Sequence, residues 1–174
     1  LGTDITQIKR NEEKLVDSER RHMSTISDLR NTKLDNTDFH KSNLVRASLS
    51  GSSATNADFS GIIASRTDFS NGDFTGANFL KADIARADFS NSTIKNVNLS
   101  RGELSRVTFT KTELANVNFD YSNLGRSDFR EVRLTDQISM TGSFLFQTRL
   151  DGVDLSLVNG LAQWQIDMAC GDDE

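Results

Sequence analysis

The stretch Ala57–Ser90, ADFSGIIASRTDFSNGDFTGANFLKADIARADFS, decides the fold, because a large apolar residue recurs in it at almost every fifth position. The same spacing covers 22 positions from Leu29 to Leu134, and only Ala54 and Ala64 among them are small. A period of five fits neither an α-helix, with about 3.6 residues per turn, nor a flat strand, with a period of about two. It predicts a solenoid that turns after each repeat and offers surfaces rather than deep pockets.

The other positions of the repeat are also restricted. Two residues before each large apolar residue, which we call the centre, the side chain is small in every repeat except that of Ile62. We expect both columns to point inward, with the small residue at a corner. The residue immediately before the centre is Asp or Asn in 13 of 22 repeats. Such side chains form hydrogen bonds to nearby backbone groups and favour turns.

The pattern A-(D/N)-L-x-x closely resembles the pentapeptide-repeat family over residues 27–157. The resemblance implies an all-β fold, a right-handed quadrilateral β-helix with four pentapeptides in each 20-residue coil, and hence six to seven coils. The chain is then divided into an N-terminal helix at 1–26, the β-helix at 27–157, and a capping helix with an acidic tail at 158–174.

Sorting the centres by a 20-residue period supports this arrangement independently. Eight of the nine Phe centres fall on two opposite faces, and aliphatic residues fill most of the other two. Like residues then stack at about 4.8 Å, the spacing of neighbouring strands. The predicted core stack consists of Phe39, Phe59, Phe79 and Phe119 on one face and Phe69, Phe89, Phe109 and Phe129 on the other.

Two irregularities interrupt the pattern. Ala54 and Ala64 fall in the same coil, where we expect local thinning or a bulge. Phe144 keeps the phase of the earlier centres, whereas Leu150 and Leu155 come one residue late. This predicts a one-residue insertion between Phe144 and Leu150.

The same sorting aligns five arginines at strict 20-residue intervals: Arg46, Arg66, Arg86, Arg106 and Arg126. One interpretation is a linear interaction site, because guanidinium groups bind carboxylates and phosphates in a bidentate manner. The other is structural: acids such as Asp68, Asp83 and Asp88 lie two or three residues from an arginine and could neutralise the column.

Residues 1–21 do not follow the repeat. The string GTDITQIKRNEEKLVDSERR resembles the end of a PAS sensory domain and the signalling helix that leaves it. This resemblance implies that a sensor domain precedes the repeats in a longer protein. The alternative is an ordinary charged helix that caps the solenoid, since terminal repeats need a cover.

The C-terminal stretch Asn159–Asp172 resembles the tail of many bacterial pentapeptide-repeat proteins. Leu161, Trp164 and Met168 share one helical face with Gln165. We expect the three apolar side chains to cover the last coil and its unpaired strand edge. Trp164 could instead form a dimer contact.

Composition narrows the function further. The net charge of −5 is a property of the C-terminal end, because residues 27–136 carry fourteen acids and fourteen bases. No apolar run approaches the ~18 residues of a membrane span. The single Cys170 rules out an internal disulfide and fits a reducing cytoplasm. Nucleophile, phosphate-loop and metal-ligand motifs do not occur in the sequence, so no catalytic residue, cofactor or metal is expected.

These observations predict a non-enzymatic protein-interaction or scaffold module, the output part of a bacterial PAS-containing regulator in the cytoplasm. The partner is expected to be a protein rather than nucleic acid, and a homodimer could form through the N-terminal helix or the C-terminal cap. The first alternative is the branch of the family that protects DNA gyrase by mimicking DNA, although the neutral repeat body argues against mimicry. The second alternative is a purely structural spacer.

Overall fold

Parallel backbone bridges join residues that are 20 apart throughout most of the computed structural model, which describes residues 28–170. Asp38 pairs with Asp58, and Asp58 pairs in turn with Asn78. The bridges recur every five residues, so four ladders run along the molecule. Each 20-residue stretch, here called a layer, therefore stacks on the next one, and the chain forms a β-helix-like solenoid. The predicted helix at 1–26 and residues 171–174 lie outside the described part.

Most bridges involve single residues, and only a few segments extend into short strands. The strands are β1 (Thr93–Lys95), β2 (Glu113–Ala115), β3 (Val117–Asn118), β4 (Arg133–Leu134), β5 (Ile138–Ser139) and β6 (Val158–Asn159). They form two parallel sheets, in the orders β1-β2-β4 and β3-β5-β6. A 3-10 turn at Leu155–Leu157 and the helix α1 at Gln163–Cys170 complete the fold. Within the described residues, no helix is long and apolar enough to cross a membrane.

Each repeat ends in a tight turn with a left-handed residue. In a representative repeat, the N–H of Thr67 donates to the carbonyl of Ala64 at 3.2 Å, and Arg66 between them has a φ of 62°. A positive φ at the third residue is typical of a type II turn. Asn, Gly, Lys and Arg hold this position in most repeats. The residue two after each centre thus lies at a corner of the solenoid.

The Asp and Asn residues that precede the centres stabilise these turns. All thirteen of them accept a hydrogen bond from the backbone N–H two residues later. In the repeat of Phe59, for example, Asp58 Oδ1 accepts from the N–H of Ser60 at 2.9 Å. The preference for Asp and Asn therefore has a structural cause, since a short polar side chain at this position satisfies one turn N–H.

We expect these carboxylates to make folding stability depend on pH. Hydrogen bonds from Ser60 lower the pKa of Asp58 below its ordinary 3.8, and the Arg130 side chain lowers that of Asp128. Because each carboxyl has a lower pKa in the folded state, its contribution is complete above about pH 5 and is lost as the pH falls through the folded pKa. Urea unfolding should therefore give a lower midpoint at pH 3 than at pH 7. The double variant Asp58→Asn, Asp128→Asn should reduce this difference, and an unchanged difference would contradict the assignment.

Stacked phenylalanine rings fill the core. The ring of Phe59 lies between those of Phe39 and Phe79, with centroids 4.9 and 4.6 Å apart, respectively. The two columns meet edge to face, as between Phe59 and Phe69 at 6.2 Å. All eight phenylalanines of the sequence-derived core stack are buried. Aromatic pairs in these geometries are stabilised beyond the burial of their area.

The small centres Ala54 and Ala64 do not produce the bulge that the sequence suggested. The ladder continues through both, because the N–H of Ala54 donates to Asp73 and that of Ala64 to Asp83 at 2.8 and 2.7 Å. Larger neighbours fill the space. Phe74 stacks on Ala54 in the next layer, and the buried Ile62 lies in the same repeat as Ala64. The expectation of local thinning with a bulge was therefore wrong.

The one-residue insertion lies earlier than the sequence suggested. Leu114 pairs with Leu134, 20 residues later, whereas Val117 pairs with Ile138, 21 residues later. The extra residue thus falls between Leu134 and Ile138, at a corner. Its consequence is that Leu145 is fully buried, while Phe144 is 47% exposed. Placing Phe144 among the centres was wrong because its apolar ring happened to match the old phase.

Candidate functional site

The five aligned arginines form one corner of the solenoid, which we call the arginine edge: Arg46, Arg66, Arg86, Arg106 and Arg126. Each has a φ between 60° and 62° and an exposed side chain. The repeat produces this arrangement because the left-handed residue of the turn points away from the core, and every fourth turn has an arginine there. Stacked layers are about 4.8 Å apart, so the edge is a dense row of guanidinium groups.

The neighbouring acids do not pair with this edge. Among residues 28–170, none of the ion pairs within 4.0 Å includes an arginine of the edge. The acids are engaged elsewhere: Asp68 accepts from the N–H of Ser70 at 3.0 Å, and Asp128 pairs with Arg130 at 2.7 Å. Direct neutralisation of the arginine column, one of the two interpretations of the sequence, is therefore not what the structure shows.

The end of the edge has a different composition. After the insertion, Gln147 occupies the next corner, with a φ of 53°. Its Oε1 accepts from Nε of Arg126 at 3.0 Å, and the Arg126 guanidinium lies 5.9 Å from the centre of the Phe146 ring. Such a distance allows a cation–π contact. The sequence did not single out Gln147 or Phe146, because both come after the shift in register.

Shallow grooves lie along the arginine edge. One runs past Arg46, Arg66 and Arg86 and has the small side chains of Ser65 and Ala85 in its wall. A second is lined by Arg106, Arg126, Gln147 and Arg149 together with Asp128. Open grooves with several guanidinium groups suit an elongated partner better than a compact small molecule.

A second basic corner runs beside the arginine edge. Lys41, Lys81 and Arg101 hold its left-handed positions, and Arg101 lies over the ring of Tyr121 at 5.4 Å. Between the two corners, one residue per layer points outward from the ladder. This column consists of Asn43, Ile63, Asp83, Glu103, Asn123 and Phe144. We call the column and its two flanking corners, including the arginine edge, the basic face.

The C-terminal helix covers the last layer differently from the sequence prediction. Leu161 packs against the core, and Met168 is half-buried with its carbonyl accepting from the N–H of Gln147 at 2.9 Å. Trp164, however, is 53% exposed and does not seal the core as expected. The buried position of the helix belongs to Gln165, whose amide nitrogen donates to the carbonyls of Met140 and Ser143 at 3.0 and 2.8 Å. An amide satisfies these carbonyls, which an indole placed there would leave without enough donors.

Metal-binding chemistry is not assembled in the part of the chain that the structure describes, since residues 28–170 contain no group of three potential ligands close together. The acids are spread along the ladders and make hydrogen bonds to backbone groups. The arrangement therefore offers an extended charged surface as its main feature.

Comparison with known proteins identifies the repeats. The profile described as pentapeptide repeats (8 copies) matches residues 27–61, and that of the pentapeptide repeat region matches residues 62–138. No curated protein matches the chain significantly.

Several solved structures are similar to the chain. A pentapeptide repeat protein from the thylakoid lumen of Arabidopsis thaliana is 24% identical, with 66% of this chain and 72% of that one covered and a TM-score of 0.45. The plasmid-mediated fluoroquinolone resistance protein QnrB1 is 20% identical over 80% of this chain and 82% of its own, with a TM-score of 0.41. HetL, involved in heterocyst differentiation regulation in the cyanobacterium Nostoc, is 14% identical over 75% and 79%, with a TM-score of 0.34. With the two profiles together covering more than half of its length, the chain belongs to the pentapeptide repeat family.

Proposed function

We propose that this chain is a non-enzymatic protein-interaction module and that the arginine edge contacts its protein partner. The observation that carries the proposal is the row of five exposed arginines that make no ion pair within residues 28–170. Like charges this close together repel one another, so the row is more favourable when a partner supplies carboxylates. A rigid ladder supports this role because it holds the row in a fixed geometry.

The triple variant Arg66→Gln, Arg86→Gln, Arg106→Gln tests the proposal. Gln is compatible with the left-handed backbone, as Gln147 shows at the equivalent corner. A matched control, Lys33→Gln, Lys111→Gln, Arg133→Gln, removes the same charge away from the basic face. Partners captured by the unaltered protein should be lost by the edge variant and retained by the control. Unchanged capture and affinity would show that the arginine edge is not the site, and a protein that captures no partner would support a structural spacer.

We also propose that the module is the cytoplasmic output part of a bacterial PAS-containing regulator. The support is the string at residues 1–21, which resembles a PAS exit helix. The sequence encoded upstream of Leu1 tests it: an intact PAS domain is expected there, and an unrelated domain would contradict it. A supercoiling assay separates this role from DNA mimicry, since inhibition or protection of DNA gyrase would favour mimicry.

The finer geometry of the solenoid belongs to the same proposal. A right-handed, four-sided coil is supported by the four ladders per layer and by the turn at every fifth residue. A crystal structure would test both the handedness and the cross-section.

A further inference from the structure

We infer that the basic face binds an extended acidic polypeptide segment that carries two apolar side chains about six residues apart. This inference rests on the proposed function and specifies the chemistry of the partner. It draws on three features of the face: its charge, its exposed apolar side chains and the distance between them.

Charge is the first feature. The two corners of the basic face contribute eight basic side chains: Lys41, Lys81, Arg101 and the five arginines of the edge. The column between them contributes two acids, Asp83 and Glu103, which leaves an excess of six positive charges in a chain whose net charge is −5. A segment with several carboxylates is complementary to such a surface, and complementarity of this kind raises the association rate and the specificity.

Exposed apolar side chains are the second feature. Of the seven large apolar side chains exposed among residues 28–170, four lie on the basic face. Val45 and Ile63 are 43% and 49% exposed near Arg46, and Phe144 and Phe146 are 47% and 41% exposed beside Arg126. The two phenylalanine rings stack on each other with centroids 6.2 Å apart. Apolar side chains thus lie at both ends of the arginine row, where they can bury apolar side chains of a partner.

Distance is the third feature. Ile63 and Phe144 belong to the same ladder and are separated by four layers. At about 4.8 Å per layer, the separation along the solenoid axis is about 19 Å. An extended chain rises about 3.3 Å per residue, so roughly six residues of a partner span this distance. The arginine row lies alongside that span, at the positions where the intervening acidic side chains would pass.

The acids on the face favour a polypeptide over a nucleic acid. Asp83 Oδ1 accepts from Ser65 Oγ at 3.0 Å and from the N–H of Ala85 at 3.3 Å, whereas its Oδ2 has no hydrogen-bond partner within residues 28–170. A phosphodiester backbone is a continuous anion without donors and would be repelled by this carboxylate. A polypeptide supplies backbone N–H donors between its charged side chains, so it satisfies the acids and the arginines together.

Labelled peptides of about ten residues test the inference, because this length covers the span between the apolar ends. One peptide is rich in Glu and has two leucines six residues apart, and a second has the same composition with adjacent leucines. Fluorescence anisotropy at low salt measures their affinities for the whole chain. We expect the first peptide to bind about tenfold more tightly than the second, which corresponds to about 1.4 kcal/mol for one buried apolar anchor. The double variant Ile63→Ser, Phe144→Ser should remove this difference.

The charge variants provide the second readout. The triple variant of Arg66, Arg86 and Arg106 should weaken binding about tenfold, the sum of three modest exposed ion pairs. The control variant of Lys33, Lys111 and Arg133 should change it by less than about twofold, because distant charges are screened. Equal affinities for the two peptides, equal losses in the two variants, or tighter binding of single-stranded oligothymidylate would each overturn the inference. If the edge variant loses its captured partner while no peptide binds, the proposed function stands and this inference fails.

Discussion

Replacing Phe59 by Ala is expected to lower the free energy of unfolding by about 3–5 kcal/mol, the usual range for a buried phenylalanine. The ring is fully buried and stacks between Phe39 and Phe79. It also meets Phe69 and Phe74 edge to face, with centroids 6.2 Å away in both cases. Backbone ladders fix the spacing of the layers, so the neighbouring rings cannot collapse fully into the cavity. Urea unfolding followed by far-UV circular dichroism measures the loss.

Phe146→Ala is the matched control for this change. Its ring is 41% exposed and lies outside the column of buried rings, so the expected loss is below about 0.5 kcal/mol, as for most surface substitutions. If Phe59→Ala and Phe146→Ala lowered stability equally, the stacked column would not be the source of stability.

The fold of the repeats could be predicted from the sequence because one column of large residues determines it. Phe69 and Phe89 are 20 residues apart in sequence, and their rings lie 4.6 Å apart with nearly parallel planes. Stacking of like residues in adjacent layers is a direct result of the repeat period, so sorting by that period placed the rings correctly. The Asp and Asn residues were likewise expected to bond to backbone groups, and all thirteen do so.

The insertion could not be placed correctly because apolarity does not report register. Phe144 is as apolar as a core residue, yet it pairs with Asn123 on an outer column. Leu145, the next residue, takes the buried position. Register in a ladder is set by backbone pairing, and a shift of one residue moves each side chain to the other side. Where two adjacent residues are both apolar, the sequence supports either register.

The surroundings of the arginine edge were predictable only in part. Its alignment follows from the 20-residue interval, whereas the absence of ion pairs within residues 28–170 depends on what the acids bind. Asp88, two residues after Arg86, accepts from the N–H of Ser90 at 2.8 Å. A carboxylate held by its own turn is turned away from the arginine beside it in sequence. Proximity along the chain therefore does not predict pairing here.

Gln165→Ala is expected to destabilise the C-terminal cap by about 2–4 kcal/mol, since each buried polar group left unsatisfied costs about 1–3 kcal/mol. The Gln165 amide nitrogen donates to the carbonyls of Met140 and Ser143, and its Oε1 accepts from the N–H of Ala162 at 2.9 Å. The truncation removes all three bonds at once. It also loosens the helix that supplies a carbonyl to the last ladder at Gln147.

Two probes distinguish loss of the cap from loss of the whole fold. The single tryptophan, Trp164, lies in this helix, so its fluorescence reports on the cap, while circular dichroism reports on the ladders. In Gln165→Ala the fluorescence transition should move to lower urea than the dichroism transition, because a solenoid unfolds in parts when one interface is weakened. Gln163→Ala is the control on the same helix: this exposed residue bonds only to Asp167 at 2.8 Å, a contact worth about 0.2–0.5 kcal/mol. Equal shifts in the two variants would mean that the helix is held by its apolar contacts alone, with Leu161 rather than Gln165 as its anchor.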